Sequence, residues 1–200
     1  MYSNGDNKYF YNRSFIGFIG EASDLSTIVN DLNEIKLKPN RKVKSIIRDI
    51  NALETLGLNS NILKCKIKDL SYTEYKLIML IKVCELKTNL VVLNNLDLGL
   101  NHKVKSYVSK YLKVVNANYK TNFIVISNDL LFINKVAKHI IISKNKIIKY
   151  QGDAITAIKQ GLIEKPPIIK FIDMANKENA QLDYTLDNKE LLKAIYRSVF

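Results

Sequence analysis

The chain has 200 residues, of which 47% are hydrophobic, and it carries a formal net charge of +12 at pH 7. This length suffices for one well-formed core, and the hydrophobic content excludes a disordered chain. No apolar run approaches the roughly 20 residues that are needed to span a bilayer. The first residues lack the basic start and apolar stretch of a signal peptide, so we expect a cytoplasmic protein.

The positive charge suggests an anionic partner. Its carriers are mostly lysines, spread evenly along the chain. Only four arginines can make bidentate contacts: Arg13, Arg41, Arg48 and Arg197. No RNP-type aromatic motif or helix-turn-helix accompanies them. The hypothesis of a basic α/β nucleic-acid-binding module therefore depends on charge alone and stays an alternative. Attraction to an anionic membrane surface is a further alternative.

The two cysteines indicate no metal site. Cys65 and Cys84 lack the spacing of metal ligands and have no motif partners. We expect both to be reduced cysteines that fill the core.

The first half of the chain predicts one strand and three helices. The run Phe15-Ile16-Gly17-Phe18-Ile19 predicts a buried strand that ends in a turn at Gly20. Ser26 or Thr27 is placed to open a helix. Past a break at residues 38–40, apolar residues at helical spacing predict one helix over Val43–Leu56. Ser71 precedes a largely apolar helix over Tyr72–Cys84.

The second half alternates strands and helices. The predicted elements are a buried strand at Leu90–Leu93, an amphipathic helix at Val104–Val115, a strand at Asn122–Ile126, a helix at Leu130–Ala137 and a hairpin at His139–Tyr150. This alternation is typical of an α/β domain with a mostly parallel sheet. We expect a core over residues 1–151. A helical extension over residues 152–200 follows, with a break at Pro166-Pro167 and a capping box at Asp187-Asn188-Lys189-Glu190.

Amides rather than acids follow the predicted strands. Asn94-Asn95 end the strand that begins at Leu90, and Asn128 lies just beyond the next strand. An amide cannot accept a proton and is a poor ligand for a hard divalent cation. Asp97 falls beyond the strand tip, where we expect a solvated loop residue. His102 and His139 lie at a helix start and before a strand, so we expect structural or exposed roles for both.

In this order, the segments resemble the ATP-binding subunit of ABC transporters, most strongly from Leu70 to Tyr150. The family's phosphate loop follows the first strand, and there the stretch 20–27 keeps Gly20 and the hydroxyl of Thr27. Ser26 stands where the family has its phosphate-binding lysine. The family's signature opens a helix with Leu-Ser-Gly-Gly-Gln. Here Leu70 and Ser71 are kept, and Tyr72 and Thr73 replace the two glycines.

The resemblance also implies which functional residues of the family the asparagines replace. Asn94 stands in place of the aspartate that is linked to Mg²⁺, and Asn95 in place of the glutamate that acts as general base. Asn101 replaces the aspartate that crosses the dimer interface, and Asn128 replaces the switch histidine. Only 42 residues separate Thr27 from Leu70, and no glutamine ends an apolar strand among them. We therefore expect a reduced helical subdomain around Val43–Leu56 and Tyr72–Cys84.

The resemblance implies a P-loop NTPase-like sheet flanked by helices, with a small helical tail. It implies a protein that has lost ATP hydrolysis, acting as the silent partner or regulatory subunit of an ABC transporter. The expected partners are an intact ATPase subunit, a membrane permease, or both, at the inner face of the cell membrane. ATP and Mg²⁺ would be the family's cofactors, and the replaced groups argue against strong binding. The alternative is an ATP-binding subunit with an atypical but functional site.

Overall fold

The computed structural model describes residues 15–20 and 37–199, without the side chains of residues 198 and 199. The strands are β1 Phe15–Ile19, β2 Leu90–Asn94, β3 Asn122–Ile126, β4 His139–Lys144 and β5 Ile147–Gly152. The α-helices are α1 Asn51–Thr55, α2 Tyr72–Cys84, α3 His102–Tyr119, α4 Leu130–Val136, α5 Ala154–Lys159, α6 Pro167–Lys177 and α7 Asn188–Val199. Three 3₁₀ turns lie at Val43–Ser45, Ser60–Lys64 and Ile67–Asp69. The predicted helix at Ser26 or Thr27 lies outside the described residues.

The five strands form one sheet in the order β2-β3-β1-β4-β5. The first four are parallel, and β5 returns antiparallel to β4. Asn145 and Lys146 make the turn of this hairpin with φ of 54° and 62°, as a two-residue turn with two left-handed residues requires. The pairing of β4 with β5 shifts register between Ile142 and Ser143. The predicted mostly parallel sheet, flanked by helices, is confirmed.

Two groups of helices cover one face of the sheet. Helices α2 and α3 pack over β2 and β3 in a single cluster with Val91, Leu93, Phe123 and Val125. Helix α4 lies on β1 at Gly17, where a Cβ would collide with the side chain of Ile133. This position therefore needs glycine because the helix approaches the strand so closely. On the opposite face the strands bury a set of large side chains: Ile16, Phe18, Ile124, Ile126 and Ile141.

The reduced helical subdomain is confirmed, but the single predicted helix over Val43–Leu56 is wrong. The segment forms a 3₁₀ turn at Val43–Ser45 and, after a bend, the short helix α1. The backbone amides of Arg48 and Asp49 donate to the carboxylate of Glu85, the second at 2.9 Å. Because these amides are bound to a residue at the end of α2, they do not continue the helical ladder.

Helix α2 begins where the sequence predicts. The Ser71 hydroxyl accepts from the amide of Glu74 at 3.3 Å, and the Glu74 carboxylate accepts from the amide of Ser71 at 2.8 Å. This reciprocal capping box satisfies two amides that the helix itself leaves unpaired. It fixes the start of α2 at Tyr72.

The two cysteines differ, so the prediction that both fill the core is half wrong. Cys84 is buried, and this burial raises the pKa of its thiol to about 12. Cys65 is exposed. It follows the 3₁₀ turn Ser60–Lys64, of which only Ile62 is fully buried.

The tail packs on β4. Helix α6 begins at Pro167, where a missing amide costs no hydrogen bond. Ile168, Ile169 and Ile172 are buried in one cluster with Ile140 of β4 and with residues of α5 and α7. This is the structure of a packed appendage. Among residues 15–20 and 37–199, no helix combines the length and the apolar character needed to cross a membrane.

Candidate functional site

The carboxyl ends of three parallel strands meet at one edge of the sheet. The amide of Asn95, after β2, donates to the carbonyl of Ile126 at 2.9 Å. The amide of Ser127, after β3, donates to the carbonyl of Phe18 in β1 at 3.2 Å. The register sets Asn94 beside Ile126 and Ile126 beside Phe18. The edge therefore brings Asn94, Asn95 and Asn128 to the level of Gly20, while Ser26 and Thr27 lie outside the described residues.

All three amide side chains at this edge lie on exposed residues. Asn95 adopts φ of 48°, a left-handed conformation that asparagine tolerates better than most residues. An exposed amide offers a neutral carbonyl oxygen and an NH₂ group, so it neither deprotonates water nor balances a metal charge. The arrangement can hydrogen-bond a ligand but supplies no base.

Asp97 is not the solvated loop residue that the sequence predicts. Its exposed fraction is only 4%, because the loop folds inward along with its buried neighbours Leu96 and Leu100. The Oδ1 atom of Asp97 is buried, and no hydrogen-bond partner for it lies among residues 15–20 and 37–199. The Asp97 carboxylate is therefore not available to a ligand at the surface of this edge.

The second carboxylate at this edge, Asp129, is occupied by structural contacts. Its Oδ1 accepts from the amide of Phe132 at 3.0 Å and caps α4, and its Oδ2 forms an ion pair with Lys105 Nζ at 2.7 Å. Partial burial alone would raise the pKa of Asp129, but the hydrogen bonds from Lys105 and from the backbone of Phe132 outweigh it and lower the pKa. The carboxylate stays ionised and bound to its neighbours.

The residues described at this edge do not fit a Mg²⁺ ion of the kind that ABC-type ATPases use. One carboxylate is buried and the other is paired with a lysine, while the exposed groups are amides. In the described part of the chain, no three His, Cys, Asp or Glu residues cluster as metal ligands would. Mg²⁺ prefers carboxylate and phosphate oxygens in an octahedral arrangement. No catalytic step through this metal follows from these residues.

Lys76 binds the loop that follows β2. Its Nζ donates to three backbone carbonyls, those of Asn95 at 3.1 Å, Leu96 at 3.3 Å and Leu98 at 2.8 Å. These carbonyls point to one ammonium group, which carries three donors. Helix α2 is thereby attached to the strand tip.

The signature-like segment adjoins this loop. Lys76 Nζ lies 4.7 Å from the ring centroid of Tyr72, one helical turn earlier. A Cβ on Gly99 would come within 3.1 Å of the same ring, and Gly99 has φ of 76°. Glycine is therefore required there both by the backbone conformation and by the aromatic neighbour. Tyr72 remains 62% exposed, so one side of its ring rests on the loop and the other faces solvent.

The other residues of the signature-like segment, and Asn101, have local roles. Leu70 and Thr73 are half-buried, and Ser71 caps α2. The Asn101 side chain accepts from the amide of Val104 at 3.0 Å and caps α3. The structure brings the start of α2 beside Gly99, and Asn101 follows two residues later.

Both histidines lie where the sequence predicts. His102 is the first residue of α3, and its Nε2 is 2.7 Å from the Nζ of Lys135, to which it acts as acceptor. His139 is the first residue of β4, at the opposite end of the sheet from Asn128.

Sequence reasoning missed the two lysines that organise this edge. Lys76 lies four residues after Tyr72, so helical spacing places both side chains on one face of α2, and that signal was available. Lys105 pairs with a residue 24 positions later. No local pattern identifies that contact.

No protein-family model matches the chain, and no curated protein matches it either. Solved structures do share its fold. One is described as a cobalt-transport ATP-binding protein, with a TM-score of 0.54, 15% identity, and coverage of 70% of this chain and 69% of that one. The chain has the fold of an ABC-type ATP-binding cassette.

Two further structures agree. The dimeric structure of a bacterial ABC transporter cassette matches with a TM-score of 0.56 and 12% identity over 70% of this chain and 85% of that one. A complex of an archaeal ribosomal stalk protein with an archaeal ribosome recycling factor matches with a TM-score of 0.59 and 16% identity. The match covers 74% of this chain and 36% of that one. At such identities the likeness establishes the fold of the chain.

Proposed function

We propose that this chain is a non-hydrolysing ABC-cassette-like protein that serves as the silent partner or regulatory subunit of an intact ABC-type ATPase. The observation that carries the proposal is the chemistry at the carboxyl ends of β2 and β3. Asn94, Asn95 and Asn128 present amides there, and Asp129 is bound by Lys105. A cassette fold with this edge has the frame of an ATPase without its charged groups.

The energetics of the replaced groups oppose hydrolysis. Removing one preorganised group that stabilises transition-state charge costs about 2.7–4 kcal/mol. Asn94, Asn95 and Ser26 would together remove metal binding, water activation and phosphate neutralisation. Losses of this size at three positions leave no useful turnover.

The partner role rests on the face around Tyr72. This ring is 62% exposed, and Leu98 in the neighbouring loop is 56% exposed. Lys76 holds both in place through its contacts with the ring and with the carbonyl of Leu98. A rigid exposed aromatic beside an exposed leucine is a favourable anchor for a protein partner. An intact ATPase subunit, bound at a membrane permease, is the partner that we propose.

Calorimetric titration with ATP and Mg²⁺ tests whether the chain has lost the ATP-binding site. We expect no binding heat and no phosphate release above the buffer rate, with a competent ABC cassette as positive control in the same buffer. Micromolar affinity for Mg²⁺-ATP would overturn this proposal. It would instead establish the alternative of an atypical but functional ATP-binding subunit.

Affinity capture from cells that produce the full chain tests the partner. We expect recovery of an ATPase subunit with intact phosphate-loop and carboxylate motifs, in the membrane fraction, identified by mass spectrometry. Tyr72→Asp should abolish recovery, because it places a charge at the centre of the proposed face. Tyr119→Asp is the matched control, since that tyrosine is 42% exposed at the far end of α3. The partner role would be contradicted if both variants recovered the ATPase subunit equally. It would also be contradicted if the natural chain recovered no intact ATPase.

A further inference from the structure

The amino ends of the strands form a second edge, with a cleft of about 400 Å³. Its lining residues come from β1, α3, α4, β4 and the connection between α4 and β4: Phe15, Lys113, Asn134, Lys135, Val136, Lys138 and His139. Phe15 and His139 are the first residues of two parallel strands. The cleft therefore lies at the end of the sheet opposite Asn94 and Asn128.

The stretch of chain that supplies six of the seven lining residues is rich in lysine and poor in acids. Residues 98–152 contain ten lysines and no arginine, and their single acidic residue is Asp129. That carboxylate is bound to Lys105 at the carboxyl edge. By contrast, residues 153–200 contain seven basic and seven acidic residues. The stretch 98–152 is therefore strongly positive, although the carboxylates of Asp129 and Asp187 interact electrostatically with Lys135 of the cleft.

Two of the cleft lysines keep their ammonium groups available. The Nζ of Lys135 is held by Ser106 Oγ at 3.1 Å and by the ring of His102. Among residues 15–20 and 37–199, no carboxylate forms an ion pair with Lys113 or Lys138. A cleft with free ammonium groups and no acid in its lining favours an anionic ligand.

The lining of the cleft includes an aromatic ring that is held by a second ring. Phe15 stacks on Phe123, with ring centroids 5.5 Å apart and planes inclined by 11°. Phe123 is fully buried, so it holds the ring of Phe15 at the rim of the sheet. The amide of Asn134 lies in the same lining and can donate and accept hydrogen bonds.

We propose that this cleft binds single-stranded nucleic acid, with Lys113 and Lys138 on the phosphates and Phe15 beneath a base. Lysines that follow a backbone, together with an aromatic platform, are the combination that binds single strands without sequence preference. A duplex fits less well, because it is read by an element that protrudes into a groove, whereas this site is concave. An acidic peptide would use the lysines but leave the ring of Phe15 without a partner.

Fluorescence anisotropy with a labelled oligonucleotide of ten thymidines tests the proposal on the full chain. We expect binding that weakens steeply with salt, and a weakening of at least about tenfold at low salt in the double variant Lys113→Gln/Lys138→Gln. Its slope of log affinity against log salt should fall by about 1.4, that is, about 0.7 for each lost lysine contact. Lys64→Gln/Lys177→Gln is the matched control, because it removes the same charge from exposed positions elsewhere.

The aromatic contact has its own pair of variants. Phe15→Leu should weaken binding by at least about fivefold, whereas Phe15→Tyr keeps the ring and should bind like the natural chain. Circular dichroism checks that each variant is folded. If Phe15→Leu does not fold, Phe15→Tyr and competition by a poly-glutamate peptide decide the aromatic role. Tight binding by Phe15→Tyr with weak competition by the peptide supports the site.

Three results would overturn the proposal. One is the absence of binding by the natural chain at low salt. The second is an equal loss of affinity in the cleft and control double variants, which would show an unspecific charge effect. The third is competition by poly-glutamate as effective as competition by unlabelled oligonucleotide, which would assign the cleft to an acidic protein segment. None of these outcomes bears on Mg²⁺-ATP binding at the opposite edge.

Discussion

The two ends of the same parallel sheet differ in what their lysines do. At the carboxyl end, Lys105 pairs with Asp129 and Lys76 binds three carbonyls, so their ammonium groups are fixed in the structure. At the amino end, Lys113 and Lys138 line an open cleft without a carboxylate among its residues. The distribution of the few acids and of the exposed carbonyls decides which charges are available to a ligand.

The largest effect is expected from Asp129→Ala, which removes both the cap of α4 and the ion pair with Lys105. We expect the free energy of unfolding to fall by about 3 kcal/mol, from a lost cap and a lost charge-assisted hydrogen bond. Urea denaturation measures it. Asn128→Ala is the control at the adjacent exposed position, with an expected change within about 0.5 kcal/mol. Equal changes in both variants would show that Asp129 is not a structural member of this edge.

A smaller effect is expected from Lys76→Met, which keeps an apolar stem but leaves three carbonyls of the loop without their ammonium partner. The free energy of unfolding should fall by about 2 kcal/mol, the range of a hydrogen bond to a charged group. Lys110→Met, at an exposed position on α3, should change it by less than about 0.5 kcal/mol. If Lys76→Met is equally neutral, the attachment of α2 to the strand tip contributes nothing to stability.

The pH dependence of the unfolding free energy gives a further test of the ion pair between Asp129 and Lys105. Because its contacts lower the pKa of this carboxyl group in the folded state, it stabilises the fold above the unfolded-state pKa of about 3.9. That stability is lost as the pH falls through the folded-state pKa. The difference in unfolding free energy between the natural chain and Asp129→Asn should therefore be constant near neutral pH and shrink in acid. A difference that does not change down to the acid limit would contradict the ion pair.

The smallest effect on stability is expected at the amino end. Lys113→Gln/Lys138→Gln removes two charges that bind no carboxylate in the described residues, so unfolding by urea should change by less than about 0.5 kcal/mol. A loss comparable to that of Asp129→Ala would mean that these lysines are structural as well, and the contrast between the two ends would fail.

Local patterns predicted most of the fold. The β3 bounds Asn122–Ile126 follow from a run of apolar residues, and the start of α2 follows from the Ser71–Glu74 capping box. The helix over Val43–Leu56 was wrong because Glu85, more than 30 residues away, binds the backbone amides of Arg48 and Asp49. Apolar periodicity carries no information about such a distant carboxylate.

The candidate site was predictable only in part. In a parallel sheet the carboxyl ends of strands meet, so the common position of Asn94 and Asn128 follows from the predicted topology. The burial of Asp97 and the contacts of Lys76 and Lys105 do not, because they depend on how loops close in three dimensions. The roles of Gly20, Ser26 and Thr27 stay predictions, as does the division of the chain at residue 151.

The hairpin that closes the sheet also bears on self-association. Strand β5 has a described neighbour on one side only, and a strand of that kind is a template for pairing with another molecule. The register shift at Ile142–Ser143 distorts the ladder next to it, and the exposed Lys149 places a charge on the strand itself. Irregularity and charge are the means by which natural sheets discourage edge-to-edge aggregation. These two features oppose the pairing of β5 with a strand of another molecule.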